Sequence, residues 1–271
     1  MRRAWYWSSR WLPQGWGDAL RQLALFAGAY YLYRLVRGLT DGSAHVAFDN
    51  AREIVAVERD LGLFFEADLQ AWVSNNAGVV LDAANWMYVN SHFVVTTTFL
   101  IWLYLFRNES FYYVRNLFMI AMGLALVGYA VYPTAPPRFM PEWGFEDSVA
   151  SFVGTEAANS ANVLYNPYAA VPSMHVAFAL MIAIPAIQLV RARALQAAWA
   201  AYPVVVTFVV MVTANHFWID AALGVFVAAV SAWAATAALA RARPQAWAWR
   251  TPLLGGLGQA CLLYTSDAAD E

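Results

Sequence analysis

The chain of 271 residues is 61% hydrophobic and 16% aromatic, and only 13% of its residues are charged. Soluble globular domains carry about 25% charged residues, so this composition excludes an ordinary soluble enzyme and indicates an integral membrane protein. The formal net charge of −2 indicates nothing about function, and we expect no nucleic-acid partner.

Apolar stretches along the chain predict an all-α fold, a bundle of six transmembrane helices. A span needs about 20 mostly apolar residues to cross about 30 Å of hydrocarbon. The qualifying stretches are 19–36, 79–106, 113–132, 173–190, 195–213 and 217–240. We therefore predict one membrane domain over 19–240, preceded by a cytoplasmic segment, 1–18, that does not resemble a cleaved signal peptide.

The last residues of the chain have a different character. Residues 261–271, CLLYTSDAADE, resemble a translated sequencing adapter, and we expect them to lie outside the fold, after a cytoplasmic tail at 241–260. The alternative is a genuine polar tail, which is too short to span a bilayer. Cys261 is the single cysteine, so we expect neither a disulfide nor a cysteine-rich metal site in the membrane domain.

Arginines are distributed unevenly between the two sides of the predicted bundle. With the N-terminus in the cytoplasm, eleven of the sixteen basic residues, all arginines, fall on the cytoplasmic side. This excess follows the positive-inside rule and predicts cytoplasmic termini in what we expect to be a bacterial plasma membrane. The same arrangement places five candidate catalytic or binding residues on the external face: Arg138, Ser173, His175, His216 and Asp220.

Two predicted external segments are too long to be simple turns. Residues 41–76 carry apolar side chains at helical spacing between charged ones, which predicts an amphipathic helix in the membrane interface. This helix either forms a rim over the site or is a solvated cap that merely packs on the bundle. Residues 134–171 are rich in Pro, Gly, Ser and Asn and predict a loop with little regular structure.

Ionisable residues beside hydrocarbon cost about 3 kcal/mol each at the membrane centre, so they commonly mark functional sites. Ser173 precedes a long apolar run and predicts a helix N-cap, a position that favours an anion. His175 follows in the first turn, where it can donate a proton. A capped helix with an interfacial histidine is the structural alternative.

His216 and Asp220 are four residues apart, so we expect them on one face of a helix. The carboxylate can then hold the imidazole in one tautomer. Structural pairs of this kind are common, and the pair gains significance only together with the Pro-Ser-Met-His sequence at 172–175.

Further candidates lie at Arg138 and in the second apolar stretch. Arg138 ends a proline-rich string, PTAPPR at 133–138, and its planar guanidinium matches phosphate oxygens two at a time; nonspecific headgroup binding is the alternative. His92 is a candidate pocket residue with Asn90 and Tyr168, although a buried interhelical hydrogen bond is the favoured interpretation of His92.

The combined pattern resembles the type 2 phosphatidic acid phosphatase superfamily over 19–240. The strings PTAPPR and AAVPSMH, at 133–138 and 169–175, are most similar to its inositol phosphorylceramide synthase-related branch. The resemblance implies a metal-independent enzyme without a cofactor, acting on a lipid phosphate or phosphodiester through a phosphohistidine intermediate. It also implies a lipid substrate, with water or a hydroxyl compound as acceptor, and leaves the oligomeric state open.

The superfamily's roles carry over onto the matching residues. His216 would be the nucleophile, Asp220 its orienting partner and His175 the general acid, while Arg138 and Ser173 would hold the phosphate oxygens. The sequence departs from the superfamily pattern at three places: Met174 replaces a glycine, no lysine precedes Arg138, and Val210 stands in place of an arginine.

The rival interpretations belong to other functional classes. A lipid-binding or structural membrane protein could retain the fold without turnover, and a vanadium-dependent oxidase could share the same residues. The joint presence of His175, His216, Asp220 and Arg138 favours an enzyme, and the predicted spans favour a lipid substrate. Between phosphatase and transferase, the branch resemblance favours a transferase.

Overall fold

The computed structural model describes residues 12–39, 44–154 and 168–239, and the described residues are predominantly α-helical, as the composition predicts. The predicted segments 241–260 and 261–271 lie outside this part of the chain. In chain order the helices are α1 Gly15–Leu39, α2 Ala44–Asp60, α3 Glu66–Asn76, α4 Gly78–Trp86, α5 His92–Phe106, α6 Asn108–Val131, α7 Ser148–Val153, α8 Met174–Leu189, α9 Arg193–Val212 and α10 Trp218–Trp233. Two π-helical segments, Met87–Ser91 and Ala234–Leu239, join α4 to α5 and extend α10.

Four helices within the described residues are long and apolar enough to cross a membrane: Gly78–Phe106, Asn108–Val131, Arg193–Val212 and Trp218–Leu239. They correspond to the second, third, fifth and sixth predicted spans and indicate an integral membrane protein. The predicted count of six is not confirmed. The fourth predicted span is the apolar helix α8, whose 16 residues extend about 24 Å, less than the hydrocarbon thickness.

The first predicted span falls in α1, which begins at Gly15 and so includes part of the predicted cytoplasmic segment. Its 25 residues are long enough to cross a bilayer, but α1 is not among the helices that are also sufficiently apolar. Asp18 and Arg21 lie in its first two turns, and Arg34 and Arg37 in its last two.

Residues 41–76 contain two helices, α2 and α3, where the sequence predicts one. Gly62 separates them in a left-handed conformation, with φ of 69°, and its N–H bonds the carbonyl of Arg59, as glycine commonly does after a helix end. One face of α2 is buried against the bundle and includes Ala47, Ala51 and Ile54. The segment therefore packs into the protein core, so the sequence-based picture of a helix lying along the interface is incomplete.

The predicted loop 134–171 has more regular structure than expected. Its described part contains two short 3₁₀ helices, Pro137–Phe139 and Pro141–Trp143, followed by α7. Met140 is fully buried beneath α2 in a cluster that also contains Phe217. Burial of these apolar side chains gives the segment a fixed path, which composition alone does not predict.

Two glycines let the turn before α8 approach its neighbouring helices closely. A Cβ atom on Gly128 of α6 would lie 2.8 Å from Pro172 Cδ, and one on Gly224 of α10 would lie 2.3 Å from the Ser173 carbonyl oxygen. Contacts this short are incompatible with a larger residue unless the backbone moves. The missing side chains therefore place Ser173 directly against α10.

Candidate active site

Ser173 is the N-cap of α8, the position that the sequence predicts for it. Its backbone N–H donates to the carbonyl oxygen of Asp220 at 3.0 Å, which ties the start of α8 to α10. The side chain is fully buried, and its Oγ has no hydrogen-bond partner among the described residues. A buried hydroxyl without a partner is energetically unfavourable, so this atom is available to a bound oxygen ligand.

His216 and Asp220 meet at the N-terminus of α10, and not along a helix face as the spacing predicts. His216 lies before Phe217, the N-cap of that helix. The Nδ1 atom of His216 is 3.4 Å from Asp220 Oδ2, and the same oxygen accepts the backbone N–H of Phe217 at 3.0 Å. Both side chains are buried, so the carboxylate orients the imidazole with little competition from solvent.

The turn that carries His216 is held by the end of α9. The backbone N–H groups of Asn215 and His216 both donate to the carbonyl oxygen of Val210, each at 3.0 Å, and Ala214 adopts φ of 50°. A positive φ is uncommon for a residue with a side chain. The local geometry is therefore imposed by the surrounding contacts.

His175 lies at the centre of a row of rings that the sequence does not predict. Its ring centroid is 5.6 Å from that of His216 in an edge-to-face arrangement and 4.9 Å from that of Tyr88 in a stacked one. His92 approaches His175 at 4.6 Å and stacks on Phe178 at 5.6 Å. The candidate pocket residue His92 is thus in contact with the candidate general acid.

The π-helical segment Met87–Ser91 supplies one side of this row. It contains Tyr88 and directly precedes His92, and such segments inside α-helices occur frequently at functional sites. Asn90, also in the segment, is exposed and donates to the carbonyl oxygen of Trp86 at 3.0 Å. Its observed hydrogen bond stays within its own helix and does not join it to His175.

Arg138 reaches the turn before α10 through Asn215. Its Nη1 donates a hydrogen bond to Asn215 Oδ1, and its backbone N–H donates to the carbonyl oxygen of Ala214 at 2.8 Å. The guanidinium Nε is 3.6 Å from Asp147 Oδ2, so a carboxylate and an amide hold the mostly buried side chain. The ring of Tyr168, a candidate pocket residue, lies 6.5 Å from that of Phe139, the residue after Arg138.

Three of the residues at this site escaped sequence analysis. Asn215 holds Arg138, and two glutamates, Glu58 and Glu66, accept backbone N–H groups from the first turn of α10. The only local feature that could have indicated a role for Asn215 was its position directly before His216. The glutamates lie more than 150 residues before their partners, and their pattern alone is that of a solvated charged helix.

Two departures from the superfamily pattern have a clear structural setting. Val210 is fully buried in a cluster with Val176, Ala179 and Val206, where helices α8 and α9 meet. Met174 packs in the main hydrophobic core. Both positions therefore stabilise helix packing in this chain.

A family model described as the PAP2 superfamily matches residues 52–234, more than half of the chain. The chain belongs to the PAP2 superfamily. The matched range begins in α2 and ends just after α10, so it includes every residue of the site described above. Membership of the PAP2 superfamily indicates a phosphatase or phosphotransferase that acts on lipid phosphates. No curated protein and no solved structure matches the chain significantly, and the inositol phosphorylceramide synthase-related branch stays a prediction.

Proposed function

We propose that this PAP2 superfamily member transfers a phosphoryl group, with or without an attached headgroup alcohol, from a membrane lipid phosphate or phosphodiester through a covalent intermediate on His216. The contact of His216 Nδ1 with Asp220 Oδ2 at 3.4 Å carries the proposal, because a proton held on Nδ1 leaves the lone pair of Nε2 for attack. The nearby ring of His175 supplies an acid and base for the same reaction.

The first step forms the bond between His216 Nε2 and phosphorus and breaks the bond between phosphorus and the lipid oxygen. His175, in its protonated form, donates its proton to the departing alcohol. Asp220 stabilises the positive charge that develops on the imidazole of His216. The lipid alcohol then leaves, and the phosphorus group stays on the histidine.

The second step reverses this chemistry with a new oxygen nucleophile. Neutral His175 takes the proton of the acceptor hydroxyl while its oxygen attacks phosphorus, and the bond between phosphorus and nitrogen breaks. Water as the acceptor gives a phosphatase, and a lipid or polyol hydroxyl gives a transferase. We favour an inositolphosphotransferase-like reaction because of the similarity of the PTAPPR and AAVPSMH strings to that branch.

Arg138 and Ser173 are proposed to bind the phosphate oxygens. The guanidinium is a fork-shaped donor whose position is set by Asn215 and Asp147, and such donors stabilise the charge of a phosphorane-like transition state. The Ser173 hydroxyl and the N-terminus of α8 add donors that favour an anion. No step requires a metal ion, and we place the site on the external face with both termini cytoplasmic.

The test is turnover by purified protein in detergent, in the presence of a chelator, with a panel of lipid phosphates and phosphodiesters. We expect His216→Ala to lose at least about 1000-fold in kcat, as removal of a covalent nucleophile does. Labelled substrate should leave acid-labile, base-stable radioactivity on the wild type and not on the variant. The product, free phosphate or a new ester, distinguishes phosphatase from transferase.

His45→Ala is the matched control, because His45 is an exposed histidine that bonds Asp49 within α2. It should retain wild-type activity. Full activity of His216→Ala would overturn the histidine mechanism. Folded wild-type protein that turns over no lipid in the panel would favour the alternative, a lipid-binding or structural protein that keeps the fold without catalysis.

A further inference from the structure

The first turn of α10 presents backbone N–H groups that have no acceptor within the helix, as at any helix start. The N-cap is Phe217, whose phenyl ring cannot accept a hydrogen bond. Three carboxyl groups replace the missing cap: Asp220 Oδ2 accepts from Phe217 N at 3.0 Å, Glu66 Oε1 from Trp218 N at 2.8 Å, and Glu58 Oε1 from Ile219 N at 3.2 Å. Two of these acceptors come from helices far away in the chain.

Both side-chain oxygens of Glu66 accept backbone N–H groups. Glu66 is fully buried, and its second oxygen, Oε2, accepts the backbone N–H of Phe65 at 2.9 Å. The side chain therefore joins the start of α3 to the first turn of α10, the end of the helix dipole that favours acceptor groups.

Glu58 differs from Glu66 in its second oxygen. It is fully buried, and its Oε2 accepts no N–H group in the described part of the chain. Burial, and next the negative charge of Glu66 and then that of Asp220, raise the pKa of Glu58 to about 9, although the Ile219 N–H opposes them. A hydrogen bond between the side chains of Glu58 and Glu66 also raises this pKa, because protonated Glu58 can donate to its neighbour.

Among the described residues, the ionisable groups with the largest effect on Glu58 are the carboxyl groups of Glu66 on α3 and Asp220 on α10. The neighbouring cation on α2, Arg59, stacks over the rings of Phe64 and Trp143, with its Cζ 4.9 and 5.7 Å from their centroids. Its hydrogen-bonding fork is thus placed against aromatic faces. Ionised Glu58 would place a negative charge directly beside the buried carboxyl groups of Glu66 and Asp220.

We propose that Glu58 and Glu66 are positioning residues for the nucleophile: two carboxyl groups that together hold the first turn of α10. Trp218 and Ile219, whose amides they bind, lie between His216 and Asp220 in the chain. Fixing those two amides fixes the turn that closes the contact between Nδ1 and Oδ2. The inference rests on the proposed role of His216 and adds that helices α2 and α3, outside the four candidate spans, set its geometry.

The proposal predicts that kcat falls at alkaline pH because Glu58 ionises. As the pH rises through about 9, Glu58 ionises in the folded protein, the three buried carboxyl groups gain a repelling charge, and turnover falls. Glu58→Gln keeps an acceptor oxygen for Ile219 and cannot ionise. The ratio of its kcat to that of the wild type should be near 1 at pH 7 and should rise at least about threefold by pH 10.

Two further variants separate positioning from folding. Glu58→Ala removes the acceptor, and Glu66→Gln places an NH₂ group against one of its two N–H donors, so each should lose at least about tenfold in kcat with KM changed less than about threefold. Asp60→Asn, an exposed change on the same helix as Glu58, is the control and should match the wild type. Rates are compared per folded protein, counted by gel filtration.

A second measurement does not require turnover. Because the folded pKa of Glu58 lies far above the unfolded value of about 4.3, the folded protein binds more protons than the unfolded chain between these values, and its stability falls as the pH rises through that window. The Tm of the wild type should therefore fall relative to that of Glu58→Gln between pH 5 and 9. Equal Tm profiles, or a flat ratio of kcat values, would overturn the proposal.

The outcomes distinguish this proposal from that for His216. Loss of activity in His216→Ala together with wild-type pH and Tm profiles in Glu58→Gln leaves the histidine mechanism in place and removes the positioning pair. A shifted Tm profile in Glu58→Gln together with full activity in His216→Ala would overturn the role of His216 as nucleophile. The positioning role of Glu58 and Glu66 would then be overturned as well, because it depends on that nucleophile. The predicted fall of kcat at alkaline pH in the wild type, absent from Glu58→Gln, supports both.

Discussion

Arg138 donates its Nη1 to the side-chain oxygen of Asn215, the residue directly before His216. Asn215 in turn donates its Nδ2 to the backbone oxygen of Thr213 at 3.1 Å and to its hydroxyl at 2.8 Å. This connection joins the guanidinium, the proposed phosphate-binding group, to the turn that carries the proposed nucleophile.

Removing the Asn215 side chain should weaken catalysis more than folding. In Asn215→Ala, Arg138 keeps the contact with Asp147 at 3.6 Å but loses its acceptor beside His216. A hydrogen bond to a charged group contributes about 1.5–3 kcal/mol, so kcat/KM should fall about 10- to 100-fold. Steady-state kinetics on a short-chain lipid phosphate measures this, and Asn76→Ala, at the exposed end of α3, is the control. Unchanged kcat/KM would show that Arg138 is positioned without Asn215.

Close packing at Gly224 predicts a strong effect of a single methyl group. In Gly224→Ala the Cβ would lie 2.3 Å from the carbonyl oxygen of Ser173, so the turn before α8 must move. Such overpacking costs about 1–3 kcal/mol, and it displaces a proposed phosphate ligand. We expect both a lower Tm in detergent and a large loss of turnover. Gly123→Ala on α6 meets no described atom within 4 Å and should change neither quantity; equal behaviour of the two variants would refute the close approach.

The elements best predicted from sequence are those set by local composition. Four of the predicted spans coincide with long apolar helices, because about 20 apolar residues in a row leave a chain few alternatives to a membrane helix. Ser173 was assigned correctly as an N-cap since serine after a proline and before an apolar run is a local signal. The boundary of α1 and the break at Gly62 depend on details that the apolar pattern does not contain.

The relationships within the site were harder to predict because they depend on contacts between distant parts of the chain. A spacing of four residues can bring two side chains together on one face of a helix. It can also do so when the first residue precedes the helix and the second lies in its first turn, and this is the arrangement of His216 and Asp220. Glu58 and Glu66 appear in the sequence as ordinary surface charges. Their burial follows from the packing of α2 and α3 on the N-terminus of α10, which no local pattern encodes.

The contact between His92 and His175 predicts a size requirement at position 92. The ring centroids are 4.6 Å apart, and Nδ1 of His92 is buried without a hydrogen-bond partner in the described residues, so we expect the shape of the ring to matter more than this nitrogen. His92→Phe should keep kcat within about threefold, and His92→Ala should lose at least about tenfold, because His175 can then leave its position. Measuring kcat for the two variants tests this prediction. Equal losses would mean that an imidazole nitrogen is required, which would make His92 part of the chemistry.

Ser173 predicts a variant that separates stability from activity. An N-cap serine usually stabilises a protein by about 1 kcal/mol through its side-chain hydrogen bond, but the Oγ of Ser173 makes no such bond to any described residue. Ser173→Ala should therefore leave the Tm unchanged or slightly higher, while kcat/KM falls about 10- to 100-fold through loss of a phosphate donor.

Ser148→Ala is the control in which stability, and not activity, should change. The buried Oγ of Ser148 donates to Asn85 Oδ1 at 3.0 Å, and the substitution removes that hydrogen bond. It should lower the Tm and leave kcat/KM unchanged. Thermal unfolding in detergent and steady-state kinetics on both variants test the pair. If Ser173→Ala lowered the Tm and left kcat/KM intact, the hydroxyl would be a structural cap, and phosphate binding would fall to Arg138 and the amides of α8.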